Sequence, residues 1–262
     1  MDEPNILVTS DVRGVATLAL NRPAIHNAFD DRLIADLTAA LRRLADDVAV
    51  RVVVLTGSGE SFSAGGDLNW MRRMAQYSDA ENLADAMALA ELLRALNELP
   101  KPTVARVNGA AFAGGLGLVC CCDVAVAAEG AIFSISEARL GLVPATISPY
   151  VVDAIGARAA RRYFLTAERF SASEAQRIGL VHEVAPRAAL DGAVEKIVAS
   201  LREAGAGAQA RSKRLIAEVR DRPMSEALMA LTARAIAEAR ASAEAREGLA
   251  AFFAKRKPDW RR

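Results

Sequence analysis

The most constraining feature of this chain is residues 50–56, a run of valines closed by Leu55 and Thr56 and interrupted only by Arg51. A strand with one face in water alternates polar and apolar residues. This run does not, so it reads as a strand covered on both faces, the setting of a parallel sheet between helices. The flanking pattern agrees. Residues 6–9 and 12–20 read as a strand pair, with Ser10, Asp11, Arg13 and Gly14 as turn residues. Asn21-Arg22-Pro23 ends that pair, because proline restricts itself and its predecessor. A helix is predicted over residues 30–46, with Leu33, Ile34, Leu37, Leu41 and Leu44 on one face. A small-residue loop at 57–66 then leads into a helical pattern through residue 97. Strands are predicted at 103–107, 123–127 and 131–135, with a glycine loop at 108–113 and a short helix from about Gly114. From residue 149 the pattern is helical, broken at 169–173, 181–186, 205–207 and 221–223. The expectation is an α/β fold over residues 1–200, followed by a helical region over 201–262.

Charge and cysteine content narrow the function. With 33 basic against 32 acidic side chains there is no global field to gather nucleic acid or an anionic membrane. A local exception is the basic C-terminus, which holds Lys255, Arg256, Lys257, Arg261 and Arg262. The N-terminus is acidic and lacks a long apolar core, so no signal peptide is expected. The richest apolar stretch, residues 110–122, is too short to span a membrane. Cys120, Cys121 and Cys122 are adjacent, a spacing that suits neither a disulfide framework nor a metal site. A reducing cytoplasm and no metal are expected.

Two segments carry the chemistry. Ser61-Phe62-Ser63-Ala64-Gly65-Gly66-Asp67-Leu68 runs from strand through small-residue loop to a helix that Asp67 can cap. Asn108-Gly109-Ala110-Ala111-Phe112-Ala113-Gly114-Gly115 repeats the arrangement, leaving unpaired amides at a helix start. Neither loop has the spacing of a dinucleotide or P-loop site. Two such loops on neighbouring strands can aim two amides at one oxygen, the requirement for stabilising an oxyanion.

At these residues the sequence resembles the crotonase (enoyl-CoA hydratase/isomerase) superfamily. The likeness runs in order through Asn21-Arg22-Pro23 with Asn27-Ala28, the segment 62–68, Lys101-Pro102-Thr103 to Asn108-Gly109, and Gly114-Gly115. It continues through Cys122-Asp123, Glu137 with Leu140-Gly141-Leu142-Val143-Pro144, and Phe252-Phe253-Ala254-Lys255-Arg256. It implies a crotonase (ClpP-like) spiral of ββα units with a C-terminal helical trimerisation region, assembled as a homotrimer or as a hexamer that is a dimer of trimers. It also implies that the amides of Ala64 and Gly114 hold the thioester oxygen of an acyl-CoA, which is the substrate, with no separate cofactor. Ala24, Ile25 and His26 would line the coenzyme A channel and Gly66, Asp67 and Leu68 would lie near its adenine. Phe252 and Lys255 would reach the coenzyme A of a neighbouring subunit.

Hydratases of this family typically use two glutamates. Glu137 stands at one position, whereas the other falls on Gly117. Single-glutamate members include Δ3,Δ2-enoyl-CoA isomerases and bacterial hydratases of the 3-methylglutaconyl-CoA type. Segments 67–71, 115–118, 136–139 and 144–149 look like the latter. A carboxylated substrate needs a cation, and Arg139 lies two residues from Glu137; Trp70 and Tyr150 are candidates to shape the acyl pocket. The reading is a hydro-lyase acting on a branched, carboxylated 2-enoyl-CoA. The alternatives are an isomerase with the same base and a non-catalytic acyl-CoA-binding protein. His26 and His182 have no nucleophile partner in sequence.

Overall fold

The computed structural model describes residues 3–261. β1 (Ile6–Ser10) and β2 (Val15–Leu20) form an antiparallel hairpin, with Ile6 opposite Leu20. The second strand starts later than residue 12 because the Asp11 carboxylate accepts the amides of Arg13 and Val15 and folds residues 11–14 into a turn. α1 (Asp31–Asp46) follows, with Asp30 capping it through the Leu33 amide at 2.8 Å. β3 (Val52–Gly57) runs parallel to β2, and all six of its residues are buried.

The helical pattern expected to run on to residue 97 divides in two. α2 (Leu68–Met74) ends before a turn at 75–78, and α3 (Asp79–Asn97) begins afresh at a capping box between Ser78 and Glu81. β4 (Thr103–Val107), β5 (Ala111–Phe112), α4 (Gly114–Cys121), β6 (Val124–Ala128) and β7 (Ile132–Ser134) come next. They are followed by α5 (Ser148–Thr166), which kinks at Gly156, then β8 (Phe170–Ser171) and α6 (Ala172–Arg177). β9 (Glu183–Ala185) and α7 (Leu190–Glu203) complete the part that carries the sheets.

The larger sheet has the order β1-β2-β3-β4-β6-β9 and is parallel beyond the first pair. Its residues alternate between two cores, as a strand's period of two dictates. Val53 and Leu55 face α1, α3, α4 and α5, whereas Val52, Val54, Val104 and Val126 face Val194 and Val198 of α7. Each such buried side chain stabilises the fold by ~2 kcal/mol relative to exposure. β9, where the helical pattern breaks at 181–186, adds the last strand by pairing with β6. Of a second sheet, β5-β7-β8, only the middle strand was expected, at 131–135; β5 and β8 have two residues each and carry no measurable periodicity.

α8 (Ala206–Val219), α9 (Glu226–Ala241) and α10 (Ala243–Phe253) pack on one another. Lys213 reaches Asp123 at 2.9 Å and Arg220 pairs with Asp153, tying this layer to the core. Of these helices α8 buries nothing, α9 only Leu228 and α10 only Ala251. Ile216, Met229, Leu249, Phe252 and Phe253 stand exposed. No helix among the described residues is long and apolar enough to cross a membrane.

Candidate active site

The first loop follows β3, and its amides can be accounted for one by one. Those of Phe62 and Ser63 both donate to the Ala110 carbonyl at 3.0 Å. Ala64 donates to the His26 carbonyl at 2.9 Å, Gly65 to Ser63 Oγ at 3.3 Å, and Asp67 to the Phe29 carbonyl at 2.7 Å. Between residues 62 and 67 only the Gly66 amide has no partner among the described residues. The expectation that Ala64 donates to a ligand is therefore corrected. His26 adopts φ 53 and turns its carbonyl onto that amide, leaving Gly66 as the open donor. A run of small residues does not show which amide its neighbours will occupy.

The second loop is stitched to the first. Phe112 donates to the Ser63 carbonyl at 2.9 Å, and Ser63 bridges Ala111 in parallel. A Cβ on Gly115 would stand 2.8 Å from Ser63 Cβ, and one on Gly65 3.1 Å from Ala113 Cβ, so glycine is what lets the loops close on each other. Ala113 lies at φ 47, ψ −119, a conformation costing a non-glycine residue ~1–3 kcal/mol and found mainly at functional sites. It directly precedes Gly114, the first residue of α4. The Gly114 amide has no partner among the described residues, as expected for the first turn of a helix.

Glu137 opens a 3-10 turn, Glu137–Leu140, just beyond β7. Its Oε2 is shielded from solvent and has no hydrogen-bond partner among the described residues. Burial raises its carboxyl pKa above the usual 4.5, against a lowering bond from its own amide. An orphaned, desolvated carboxylate oxygen is costly to keep, and such groups concentrate where protons are moved. Position 117 offers no second carboxylate: a Cβ there would lie 2.4 Å from Ile147 Cγ2 and 3.5 Å from Leu93 Cδ2. Arg139, on the turn with Glu137, is exposed and has no carboxylate partner among the described residues.

The exposed residues Ala24, Ile25 and His26 occupy a turn held by Asn27, which is fully buried. The Asn27 side chain accepts the Arg22 amide at 2.8 Å and donates to the Ser58 and Ser61 carbonyls at 2.9 and 2.8 Å. His26 Nδ1 lies 3.0 Å from Ser61 Oγ. Residues 24–26 and 66–68 are thus brought together by the His26–Ala64 bond and the Phe29–Gly66 bridge. Asp67 caps α2 through the amides of Asn69 and Trp70 at 2.8 and 3.0 Å, and Leu68 is exposed. Asn27 belonged to a motif but had no assigned role; its signal was a turn asparagine beside proline.

The remaining candidates separate. Trp70 is buried, and its indole Cζ3 lies 3.6 Å from where a Cβ on Gly66 would sit, so it borders the open amide. Tyr150 packs at the far end of α4, where its hydroxyl senses Cys121, Glu98 and Arg94 and burial pushes its pKa up. Phe252 and Lys255 stand exposed at the end of α10. His182 accepts the Ala125 amide at Nδ1, 3.0 Å away, and so holds β6 to the approach of β9. The three cysteines are unpaired thiols; burial pushes Cys122 up to about 12 and the other two upward as well. No group of three or more histidine, cysteine or acidic side chains converges among the described residues.

Known proteins share this fold and much of this sequence. The enoyl-CoA hydratase/isomerase family profile matches residues 11–262. The crystal structure of an enoyl-CoA hydratase from Shewanella pealeana superposes with a TM-score of 0.95 at 42% identity, covering 98% of this chain and 96% of that one. The 2,3-dehydroadipyl-CoA hydratase of Escherichia coli K12 is 33% identical over 257 residues, 97% of this chain and 98% of its own. The crotonyl-CoA hydratase of Syntrophomonas wolfei is 32% identical over 258 residues, 98% of this chain and 97% of its own. The chain belongs to the enoyl-CoA hydratase/isomerase (crotonase) family.

Proposed function

We propose that the protein reversibly adds water to a branched 2-enoyl-CoA carrying a carboxylate at its far end, of the 3-methylglutaconyl-CoA type. The observation that carries this is the single desolvated carboxylate of Glu137 with an apolar wall at position 117. In the mechanism, the Gly66 and Gly114 amides donate to the thioester oxygen and stabilise the enolate that forms when C3 is attacked. Losing one such donor typically costs ~3 kcal/mol of barrier. With no second acid, Glu137 serves twice. As carboxylate it takes a proton from the attacking water; it then returns that proton to C2 on the same face, a syn addition. A raised pKa favours the second step, since the protonated form must be a competent acid near neutral pH.

Arg139 supplies the expected cation for the distal carboxylate, and its freedom from internal ion pairs supports that assignment. One relative acts on 2,3-dehydroadipyl-CoA and another on crotonyl-CoA, so the family accommodates both acyl types. The thioester is the substrate and no dissociable cofactor enters the scheme. We assign a homotrimer or hexamer, supported by the exposed Phe252 and Phe253 and by the few residues α8–α10 bury within the chain. Light scattering after size exclusion tests it, and a stable monomer refutes it. Unpaired thiols are in keeping with a cytoplasmic setting.

The test compares kcat/KM for 3-methylglutaconyl-CoA and crotonyl-CoA in the parent and in Arg139→Met. A preference for the first that collapses in the variant supports the proposal; equal use of both refutes the carboxylate assignment. The same single carboxylate suits a Δ3,Δ2-enoyl-CoA isomerase, since one base can carry a proton between two carbons. Double-bond migration in a 3-enoyl-CoA without added water would establish that activity instead.

A further inference from the structure

α2 and the first half of α3 are held to the protein by few contacts. In α2 only Trp70 is buried. Across residues 79–88 every residue is exposed except Asp85, which is half-buried. Leu83 and Met87 lie open on the surface, so apolar burial does little to fix this stretch. The one polar group that reaches inward is the Asp85 carboxylate, which accepts the Trp70 indole N–H at 3.0 Å. Arg73 and Asp31, an ion pair between α2 and the start of α1, are the other charged groups near it. The opposite edge of the same indole stands against Gly66, with Met71 Sδ beside it at 3.4 Å from the same Cβ position. Trp70 is therefore a strut with one edge on the loop that carries the open amide and the other bonded to α3.

We propose that the Trp70–Asp85 hydrogen bond latches the α2–α3 wall against the Gly66 loop, which makes Asp85 a positioning residue that sets how tightly the acyl-CoA is held. The proposal rests on the assignment of the Gly66–Glu137 site to acyl-CoA. Removing the acceptor leaves a buried N–H unpaired, and little else holds residues 79–88 in register. Replacing Asp85 with asparagine keeps an acceptor oxygen in the same place.

The chain has two tryptophans, so in a Trp260→Phe background the emission reports Trp70 alone. Titration with butyryl-CoA, a saturated thioester that cannot be hydrated, gives Kd from that emission, and steady-state rates with a hydrated enoyl-CoA give kcat and KM. Asp85→Ala is expected to shift the emission to the red and to raise Kd and KM about tenfold, the equivalent of ~1.4 kcal/mol, with kcat changed much less. Asp85→Asn should restore Kd to within about twofold of the parent. In a Trp70→Phe background, which has no N–H to pair, Asp85→Ala should change KM no further. Parent-like Kd and emission in Asp85→Ala, or an equal further loss in the Trp70→Phe background, would overturn the latch alone. Failure of the parent to bind butyryl-CoA would overturn the acyl-CoA assignment of the site and the latch with it.

Discussion

Gly117→Ala tests most sharply why this site has one carboxylate. The added Cβ would lie 2.4 Å from Ile147 Cγ2 and 3.1 Å from Ile147 Cβ. Favourable carbon contacts lie near 3.5–4.0 Å, so the overlap exceeds an ångström. Ile147 is 1% exposed at the start of α5, so it can give way only by pushing into the packed core. Overpacking of this kind costs ~1–3 kcal/mol, offset by ~0.5–1 kcal/mol because alanine suits a helix better than glycine. The net expectation is a loss of ~1–2 kcal/mol, or a Tm lower by ~3–6 °C in a chain of this size. Ile147→Ala alone should cost ~2–5 kcal/mol through the cavity it leaves. The double variant should cost less than the sum by at least ~1 kcal/mol, because the new methyl occupies part of that cavity. Urea denaturation followed by circular dichroism measures all three. A Gly117→Ala protein as stable as its parent, or strictly additive losses, would show that position 117 is open and that the wall does not explain the missing carboxylate.

Further outcomes follow for Glu137, Asn27 and the three cysteines. Glu137→Gln should lower kcat by ~10²–10⁴-fold while leaving acyl-CoA affinity within a few-fold. Because the folded pKa of Glu137 is raised above 4.5, its contribution to stability is fully present below that pH and is lost as pH rises through the folded value. Thermal melts should therefore show Glu137→Gln gaining on its parent from pH 4 to pH 7, and the parent's kcat/KM should fall on acidification through a pKa above 4.5. Asn27→Ala removes three hydrogen bonds in a fully buried setting and should cost ~2–4 kcal/mol and raise KM for the thioester, read by urea denaturation and initial rates. The thiols of Cys120, Cys121 and Cys122, all pushed upward by burial, should resist a disulfide reagent at pH 7.5 in native protein and react on unfolding; fast native reaction would contradict the burial.

Much of the fold was legible because its signals are local. The valine run of β3 announced a strand covered on both faces, and the leucines of α1 announced their helix. What stayed hidden depends on long-range pairing. β5 and β8 are too short for a period, so the partners of the strand read at 131–135 went unseen, and β9 forms by pairing with the edge that β6 offers. The split between α2 and α3 had a local cue in Ser78 and Glu81, which continuous apolar content obscured. At the candidate site, motif order pointed to Glu137 and Gly114, whose carboxylate oxygen and amide have no partner among the described residues. The choice of Gly66 over Ala64 turns on a carbonyl 38 positions upstream, presented by His26 in the left-handed region. The partnership of Trp70 with Asp85 was equally out of reach, since a half-buried aspartate on an exposed helix face carries no distinguishing pattern.

The central claim is that Glu137 alone moves the proton while water adds across an enolate held by two backbone amides. Its most direct test is to incubate the parent and Glu137→Gln in deuterium oxide with 3-methylglutaconyl-CoA and analyse the product by mass and NMR. The account predicts a hydrated product from the parent with one solvent deuterium at C2, delivered to the face that receives the hydroxyl, and product formation ~10²–10⁴-fold slower in the variant. Hydration by Glu137→Gln at close to the parental rate, or a parent product with deuterium and hydroxyl on opposite faces, would contradict it.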